Sequence, residues 1–384
     1  MILFDLIDYS ILKVMWWVLL GVLLIGFAAT DGFDMGTAIL LPFVGRNDVE
    51  RRVVINTVGP VWEGNQVWFI TAGGAIFAAW PALYAVSFSG FYLAMFVVLA
   101  ALILRPVGFK YRSKRESAAW RSGWDWALFI GGFVPALIFG VAIGNTLQGV
   151  PFRLTEELRP IYEGSFFGLL NPFAILVGLV SVCMITMHGA TWLSLKTEGD
   201  INARTKKYGT WATLGTIVLF ALSGVVLWAF VPGYTITSTI DMEMPSNPLM
   251  KEAAVQTGAW FANYSAHPWM MIAPVLGFVG AFGVLIGLRT RLEALTWVLS
   301  IVSVLGIIST VGLAMFPFIL PSSIEPNASL TVWDSASSHA TLFNMLVVTV
   351  IFVPLILAYT SWVYKILWGK VTPEEITDES KHSY

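Results

Sequence analysis

The sequence predicts an all-α integral membrane protein with nine transmembrane helices. Three observations support this prediction: 57% of the 384 residues are hydrophobic, only 12% are charged, and the apolar residues form long runs. Soluble domains carry about 25% charged residues, so this chain lacks about half of the polar surface that a soluble fold needs. The composition excludes a soluble globular protein and a disordered protein, and the net charge of −2 argues against a nucleic-acid partner.

Nine segments have the roughly 20 apolar residues that a membrane-spanning helix needs. They are residues 11–30 (running on to 44), 63–80, 82–104, 124–146, 166–190, 209–231, 269–288, 293–320 and 340–366. The pair Trp80-Pro81 predicts a tight turn between the second and third spans. Pro106 is expected to end the third span. Residues 1–369 therefore form a single polytopic membrane domain, followed by a polar cytoplasmic tail over 370–384.

The basic residues predict one orientation for these spans. Alternate connections and the C-terminal tail hold 18 of the 22 lysines and arginines, and the opposite side keeps only Lys13, Arg153, Arg159 and Lys251. Because basic residues collect on the cytoplasmic side of a membrane protein, we expect an outside N-terminus and a cytoplasmic C-terminus.

The cysteine and histidine content limits the cofactor chemistry of the chain. The single cysteine, Cys183, excludes a disulfide framework. The four histidines (His188, His267, His339 and His382) leave little room for a metal or haem site built by this chain alone. No two of them have helical spacing, so we interpret them as hydrogen-bonding groups at the membrane interfaces.

Two carboxylates interrupt the first apolar run, in the sequence TDGFDMG over residues 30–36. Asp31 and Asp34 are three residues apart, so they share one face of a helix near its cytoplasmic boundary. An intramembrane carboxylate is a functional hypothesis by default because its burial is costly. The alternative is structural: the carboxylates reach the interface, or the glycines break the helix there.

A second polar segment, WEGNQVW over residues 62–68, begins the second span. Glu63 and Gln66 share a helix face, and Gly73-Gly74 further along allows a close approach of helices. The alternative for Glu63 is an N-terminal carboxylate favoured by the helix dipole.

Arg105 lies at the predicted end of the third span, on the same cytoplasmic side. It is either a positive-inside anchor or a permanent cation beside the three carboxylates Asp31, Asp34 and Glu63. In the second case the four groups suit a proton entry route from the cytoplasm.

Taken together, these motifs resemble subunit II of the cytochrome bd ubiquinol oxidases, of the bd-I type. The resemblance covers essentially the whole chain. It is carried by Trp16-Trp17, GFAATDGFDMG (26–36), GRN (45–47), WEGNQVW (62–68), RPVGF (105–109), LNPF (170–173), MFPF (315–318) and NASLTVWD (327–334).

The resemblance implies two four-helix bundles plus one peripheral helix, paired with a similar subunit I in the bacterial inner membrane. Subunit I of that family holds haems b558, b595 and d and the quinol-oxidising loop. The complex reduces O₂ to water with electrons from ubiquinol or menaquinol. It generates proton-motive force by vectorial proton uptake without pumping. A small accessory single-helix subunit and a structural quinone against this subunit are left open.

The resemblance also implies roles for individual residues. A cytoplasmic proton path uses Asp31, Asp34, Glu63 and Arg105, and Trp68 lines an O₂ path. No catalytic residue and no metal ligand is expected in this chain. Some relatives carry aspartate at the position of Glu63, which moves the carboxylate by about 1.5 Å and alters hydrogen-bond geometry but not protonation chemistry.

Two other functions compete with this one. A secondary transporter would also use intramembrane carboxylates, but it predicts a charged site at the midplane and repeat symmetry. A purely structural partner would stabilise subunit I without conducting protons, and the sequence does not separate it from a proton-conducting subunit.

Overall fold

The computed structural model describes residues 6–377 and is mostly helical. Eight helices within that range are long and apolar enough to cross a membrane, which confirms the predicted fold class. The helices are α1 (Tyr9–Val44), α2 (Asp48–Asn56), α3 (Trp62–Ala79), α4 (Pro81–Gly90), α5 (Tyr92–Tyr111), α6 (Ala118–Gln148), α7 (Pro172–Lys196), α8 (Gly199–Phe230), α9 (Ala262–Ala266), α10 (Ile272–Gly287), α11 (Glu293–Met315), α12 (His339–Ile366) and α13 (Pro373–Thr377).

The second predicted span is the helix α3, which is not among those eight. Its 18 residues include the polar side chains of Glu63, Asn65 and Gln66 in the first turns, so its mean hydropathy stays below the 2.0–2.4 found in the apolar windows of the eight spans. The predicted count of nine spans therefore stays a prediction.

The third predicted span differs from the expectation at two places. It is divided into α4 and α5 by a bend at Phe91, next to Gly90, on which the ring of Tyr162 packs. The prediction that Pro106 ends the helix is wrong, because α5 continues through it to Tyr111. A proline removes one donor from the ladder and bends a helix, but neighbouring helices hold the remaining turns in place. Arg105 consequently lies inside a helix.

The first helix is continuous over 36 residues and lies at the centre of the bundle. It packs against α3, α6 and α7, and α7 in turn packs against α8 and α11. The crossing of α1 and α7 is close because glycines meet there. A Cβ atom on Gly36 would fall against the carbonyl oxygen of Ile185 and the backbone of Gly189. In a membrane such small-residue contacts replace the hydrophobic effect as the source of helix association.

Three short antiparallel hairpins lie at one end of the bundle, which we call the hairpin end. They are β1 (Phe152–Leu154) with β2 (Pro160–Tyr162), β3 (Pro232–Ile236) with β4 (Ala253–Thr257), and β5 (Phe318–Leu320) with β6 (Leu330–Thr331). They form in the three connections that the sequence places outside, except that β5 lies within the predicted span 293–320. The opposite end, which carries α2, α13 and most of the basic residues, is called the basic end.

Two buried lysines hold the hairpin end together. Lys13 of α1 donates hydrogen bonds to the carbonyl oxygens of Met242 (2.8 Å) and Trp333 (2.8 Å). Lys251 lies 2.9 Å from Asp334 and donates to backbone carbonyls of the neighbouring loop. Burial lowers the pKa of Lys251, and the carboxylate of Asp334 opposes that shift. Each ammonium group therefore replaces its hydration shell with protein oxygen atoms.

The described part of the C-terminal tail packs on the basic end. The amide of Val371 donates to the carbonyl of Lys196 (2.9 Å), and the ammonium of Lys196 donates to the carbonyl of Leu367 (2.7 Å). Ile376 is buried in the apolar cluster beneath α2. Residues 378–384 of the predicted tail, with His382, lie outside the described residues.

The close crossing of α1 and α7 leads to a stability prediction. Gly36→Ala should destabilise the protein by about 1–3 kcal/mol, because the new methyl group forces two helix backbones apart. The measurement is the midpoint of thermal unfolding in detergent. Gly21→Ala on the same helix is the matched control, since a Cβ atom there meets nothing within 4 Å. Equal midpoints for the two variants would contradict the prediction.

Candidate functional site

A buried ion pair joins α1 to α5. The guanidinium group of Arg105 donates from Nη1 to Oδ2 of Asp31 (2.9 Å) and from Nη2 to Oδ1 (2.6 Å). The two side chains are only 1% and 0% exposed. The two parallel hydrogen bonds make this the strongest geometry available to an arginine and a carboxylate. The prediction that Arg105 faces the carboxylates of the first helix agrees with this geometry.

Asp34 lies one turn along α1 from Asp31 and shares the same cation. Its Oδ2 is 3.9 Å from Nη2 of Arg105 and accepts a hydrogen bond from Nδ2 of Asn65 (2.8 Å). Its other oxygen, Oδ1, is buried and has no hydrogen-bond partner among the described residues. Two carboxylates thus surround one guanidinium group, which leaves a net charge of −1 when both are ionised. A buried excess charge of this kind favours uptake of a proton.

Asn65 connects Asp34 to the last long helix. Its Oδ1 accepts a hydrogen bond from the hydroxyl of Tyr364 (2.6 Å), and its side chain is buried. Asn65 lies in the WEGNQVW segment but had no predicted role, and Tyr364 was not predicted. Tyr364 lies among the aromatic residues at the end of an apolar span, where tyrosine is common at a membrane interface, so nothing in the sequence distinguishes it.

Local packing explains why the carboxylates are buried. The structural alternative, in which the glycines break the first helix or the aspartates reach the interface, is wrong: α1 is continuous and both aspartates are fully buried. Gly32 and Gly36 let α7 pack against this part of α1. Gly131 of α6 provides the space for Arg105, since a Cβ atom there would lie 2.8 Å from its Cγ. The glycines of this region therefore make room for the ion pair.

Glu63 does not join the buried cluster. Its side chain is 68% exposed, and its nearest charged partner is Lys110, with Oε1 3.8 Å from Nζ. The neighbouring residue of the same motif that reaches the aspartates is Asn65. The structure thus brings together three of the four residues expected to form the proton path and leaves Glu63 on the exposed face of α3.

Trp68 packs against the first helix. A Cβ atom on Gly26 would lie 2.7 Å from Cε3 of the Trp68 ring, so the indole lies flat on the helix backbone. It belongs to an apolar cluster with Phe27, Phe69 and Phe139. The side chain of Trp68 is partly buried, and the residues around it are apolar.

His188 lies inside the helix bundle, so the prediction of an interfacial histidine is wrong for this residue. Its ring is fully buried, with Nδ1 2.7 Å from Oγ of Ser300 and Nε2 2.9 Å from the carbonyl oxygen of Ala29. Thr191 bonds to the same Ser300 hydroxyl (2.8 Å). Since a carbonyl oxygen only accepts, Nε2 carries a proton. This network was not predicted, because Ser300 lies 112 residues from His188 in the sequence.

A second charge network lies at the basic end, where the sequence indicated only positive-inside anchors. The buried carboxylate of Asp125 is 2.5 Å from Nε of Arg112 and 2.7 Å from Nη1 of Arg51. Asp48 bridges Arg112 (3.0 Å) and Arg121 (2.7 Å). These bonds join α2, the end of α5 and the start of α6.

Glu50 extends the contacts at this end to α8. Partial burial opposes its ionisation, but hydrogen bonds from the Arg46 amide and the Arg204 guanidinium group outweigh that effect and hold its pKa below the ordinary value. Glu50 is therefore charged at neutral pH.

The chain is similar to known proteins over nearly its whole length. A family model described as "Cytochrome bd terminal oxidase subunit II" matches residues 12–367. Cytochrome bd-I ubiquinol oxidase subunit 2 of Escherichia coli (strain K12) is 52% identical over 377 residues, which cover 98% of this chain and 99% of the relative. Cytochrome bd ubiquinol oxidase subunit 2 of Bacillus subtilis is 28% identical over 364 residues, or 94% of this chain and 97% of the relative.

Among solved structures, bd oxidase from Geobacillus thermodenitrificans is similar to this chain with a TM-score of 0.69. The match covers 93% of this chain and 98% of the other, at 15% sequence identity. At that identity the likeness concerns the fold.

The charge network at the basic end leads to a second stability prediction. Asp125→Asn should cost about 3–5 kcal/mol, because it leaves the buried guanidinium group of Arg112 and the partly buried one of Arg51 against a neutral amide. Glu163→Gln is the control, since it removes the exposed partner of Arg153 (2.6 Å) and such surface pairs contribute at most about 1 kcal/mol. The measurement is thermal unfolding of the purified protein, and an equal loss in both variants would refute the structural role of Asp125.

Proposed function

The chain belongs to the cytochrome bd terminal oxidase subunit II family, and from this premise we propose that it carries cytoplasmic protons to the haem-bearing subunit of a quinol oxidase. The chain is a multi-span membrane subunit of an oxidoreductase. Membership of an oxidase family leaves the secondary-transporter alternative without support. The single observation that carries the proposal is the pair of buried aspartates that share one guanidinium group.

The buried cluster has the chemistry of a proton-carrying site. With both aspartates ionised its net charge is −1, and one proton makes it neutral. Arg105 cannot lose its own proton under ordinary conditions, so it acts as a fixed charge that orients Asp31. Asp34 is then the group that gains and loses a proton. Glu63 lies on the exposed face of α3 and forms the end of the proton path at the protein surface.

The position of the cluster along α1 supports uptake from the cytoplasmic side. Asp34 is ten residues from the end of α1 at Val44, or about 15 Å, whereas Asp31 is about 33 Å from its start at Tyr9. We propose that the basic end faces the cytoplasm and the hairpin end faces the periplasm, in accord with the positive-inside rule. Protons taken from the cytoplasm for O₂ reduction then generate proton-motive force without a pump.

We assign haems b558, b595 and d to subunit I, since the histidines described here do not fit a haem ligand. Both ring nitrogens of His188 lie within hydrogen-bond distance of protein oxygens. His339 bonds to the carbonyl oxygen of Ile7 through Nε2 and stacks on Tyr9. His267 is exposed at the hairpin end. No mechanistic step of the haems is therefore assigned to this chain.

The exposed face of α3 is the surface that we propose for subunit I. Gly64, Gly73 and Gly74 all face open space, because a Cβ atom on each would meet nothing within 4 Å. Thr71 is exposed on the same helix. Glycines allow a second helix to approach closely, and exposed polar groups such as Glu63 are unfavourable against lipid. This face therefore has the chemistry of a helix–helix interface.

Lipid-like and accessory partners have other surfaces available. An apolar groove of about 560 Å³ between α1 and α12, lined by Ile11, Val18 and Leu346 among others, suits the tail of a structural quinone. For a small accessory single-helix subunit we propose the exposed apolar faces of α8 and α12. Trp68 is proposed to line an O₂ path, since the cluster around it is apolar and O₂ is an apolar solute.

The proton path is tested by Asp34→Asn and Glu63→Gln in the purified complex of both subunits. Each variant should slow O₂ reduction and proton uptake at least about tenfold, because a positioned proton-transfer group contributes about 10²–10⁴-fold. The haem absorption spectra, used as the control for assembly, should be unchanged. Full turnover with normal proton uptake in both variants would support a purely structural subunit instead.

The proposed contact between the exposed face of α3 and subunit I is tested by Gly73→Leu. This variant should prevent co-purification of subunit I, because the leucine side chain occupies the space of the helix contact. Gly21→Leu on α1 is the matched control, since that position also faces open space. Retention of subunit I by the Gly73 variant would place the interface elsewhere on the surface.

A further inference from the structure

Three side chains from three helices form a line of hydrogen bonds that ends on Asp34. Tyr364 of α12 donates to Oδ1 of Asn65 on α3 (2.6 Å), and Nδ2 of Asn65 donates to Oδ2 of Asp34 on α1 (2.8 Å). The line leaves Oδ1 of Asp34 buried and without a hydrogen-bond partner among the described residues.

The amide of Asn65 is held between the carboxylate of Asp34 and the hydroxyl of Tyr364. An amide has a donor side and an acceptor side, and a rotated amide would place its oxygen against Oδ2 of Asp34. Two acceptors face each other in that arrangement unless Asp34 carries a proton on Oδ2, so the ionised carboxylate selects the orientation in which Nδ2 faces it. In that orientation the hydroxyl of Tyr364 donates to the amide oxygen and holds the side chain of Asn65 in place.

The charges around Asp34 also favour Oδ1 as the oxygen that takes up the proton. Nη2 of Arg105 lies 3.9 Å from Oδ2, and both hydrogen-bonding groups of Arg105 that face α1 are bound to Asp31. A proton on Oδ2 would compete with the Asn65 donor and lie beside the cation. A proton on Oδ1 displaces no hydrogen bond among the described residues.

We propose that Tyr364 is a positioning residue of the proton path, which acts through Asn65 so that Asp34 takes up and releases its proton at Oδ1. In this step an O–H bond of a hydronium ion breaks to leave water, an O–H bond forms at Oδ1, and the net charge of Asp31, Asp34 and Arg105 goes from −1 to zero. Release reverses the step. The inference rests on the proposed proton-carrying function and adds the group that controls it.

The packing of Tyr364 makes a clean test feasible. Its ring contacts Phe33 (6.4 Å between centroids) and Trp192 (6.0 Å), both edge to face. A phenylalanine at this position keeps those contacts and removes only the hydroxyl. Tyr359 lies on the same helix and is 64% exposed, so Tyr359→Phe is a matched control.

The experiment compares Tyr364→Phe with Tyr359→Phe and Asp34→Asn in the purified two-subunit complex, with turnover normalised to the haem absorption. Loss of a hydrogen bond worth about 1 kcal/mol predicts that Tyr364→Phe reduces O₂ about fivefold more slowly than the parent. It should also show a larger solvent deuterium isotope effect, because proton transfer becomes rate-limiting. Asn65→Leu should have at least the same effect, and the double variant should add little, since both residues act through one line of bonds.

Three outcomes would overturn the inference. A lower rate with an unchanged isotope effect in Tyr364→Phe would show that the hydroxyl only anchors α12. Parent-like turnover in Tyr364→Phe, together with slow turnover in Asp34→Asn, would remove Tyr364 from the path and leave the proposed function intact. Parent-like turnover in Asp34→Asn would refute the proposed function itself, and with it the inference.

Discussion

The ion pair between Arg105 and Asp31 is the interaction on which the interior of the bundle depends. A guanidinium group this deeply buried needs a carboxylate at hydrogen-bond distance, since an unpaired charge in a low-dielectric interior costs several kcal/mol. The pair fixes the rotation of α1 relative to α5 and requires a glycine on α6, because any side chain at Gly131 would displace Arg105. It also places the second aspartate, Asp34, beside a cation that is already neutralised. The excess negative charge at the centre of the proposed function is thus a consequence of the same pair.

The sequence predicted the features that follow from composition and from short-range spacing. Long apolar runs predicted the helices, the distribution of basic residues separated the two ends, and helical spacing placed Asp31 and Asp34 on one face. These properties are local or summed over the chain, so tertiary contacts do not reverse them. The assignment of Asp31, Asp34 and Arg105 to one cluster came from the same spacing and from their shared depth in the bundle.

The features that were missed depend on partners far away in the sequence. Pro106 does not end its helix because neighbouring helices support the turns beyond it. Tyr364 reaches Asn65 across 299 residues, and Asp125 meets Arg51 across 74. Glu63 is acidic and was predicted to lie at the same depth as the cluster residues. The rotation of α3 that buries Asn65 turns Glu63 outward. The hairpins are too short to produce an alternating pattern of their own.

The buried lysine at the start of the first helix has a consequence for biosynthesis. Lys13 is synthesised before the groups that bind it, since the carbonyl oxygens that accept its hydrogen bonds belong to residues 229 and 320 positions later. Until those loops have formed, its ammonium group must stay hydrated. The first helix therefore reaches its final packing only after residue 333 has been synthesised. Closure of the hairpin end is therefore a late step of folding. After it, the ammonium group of Lys13 is bound by protein oxygens instead of water.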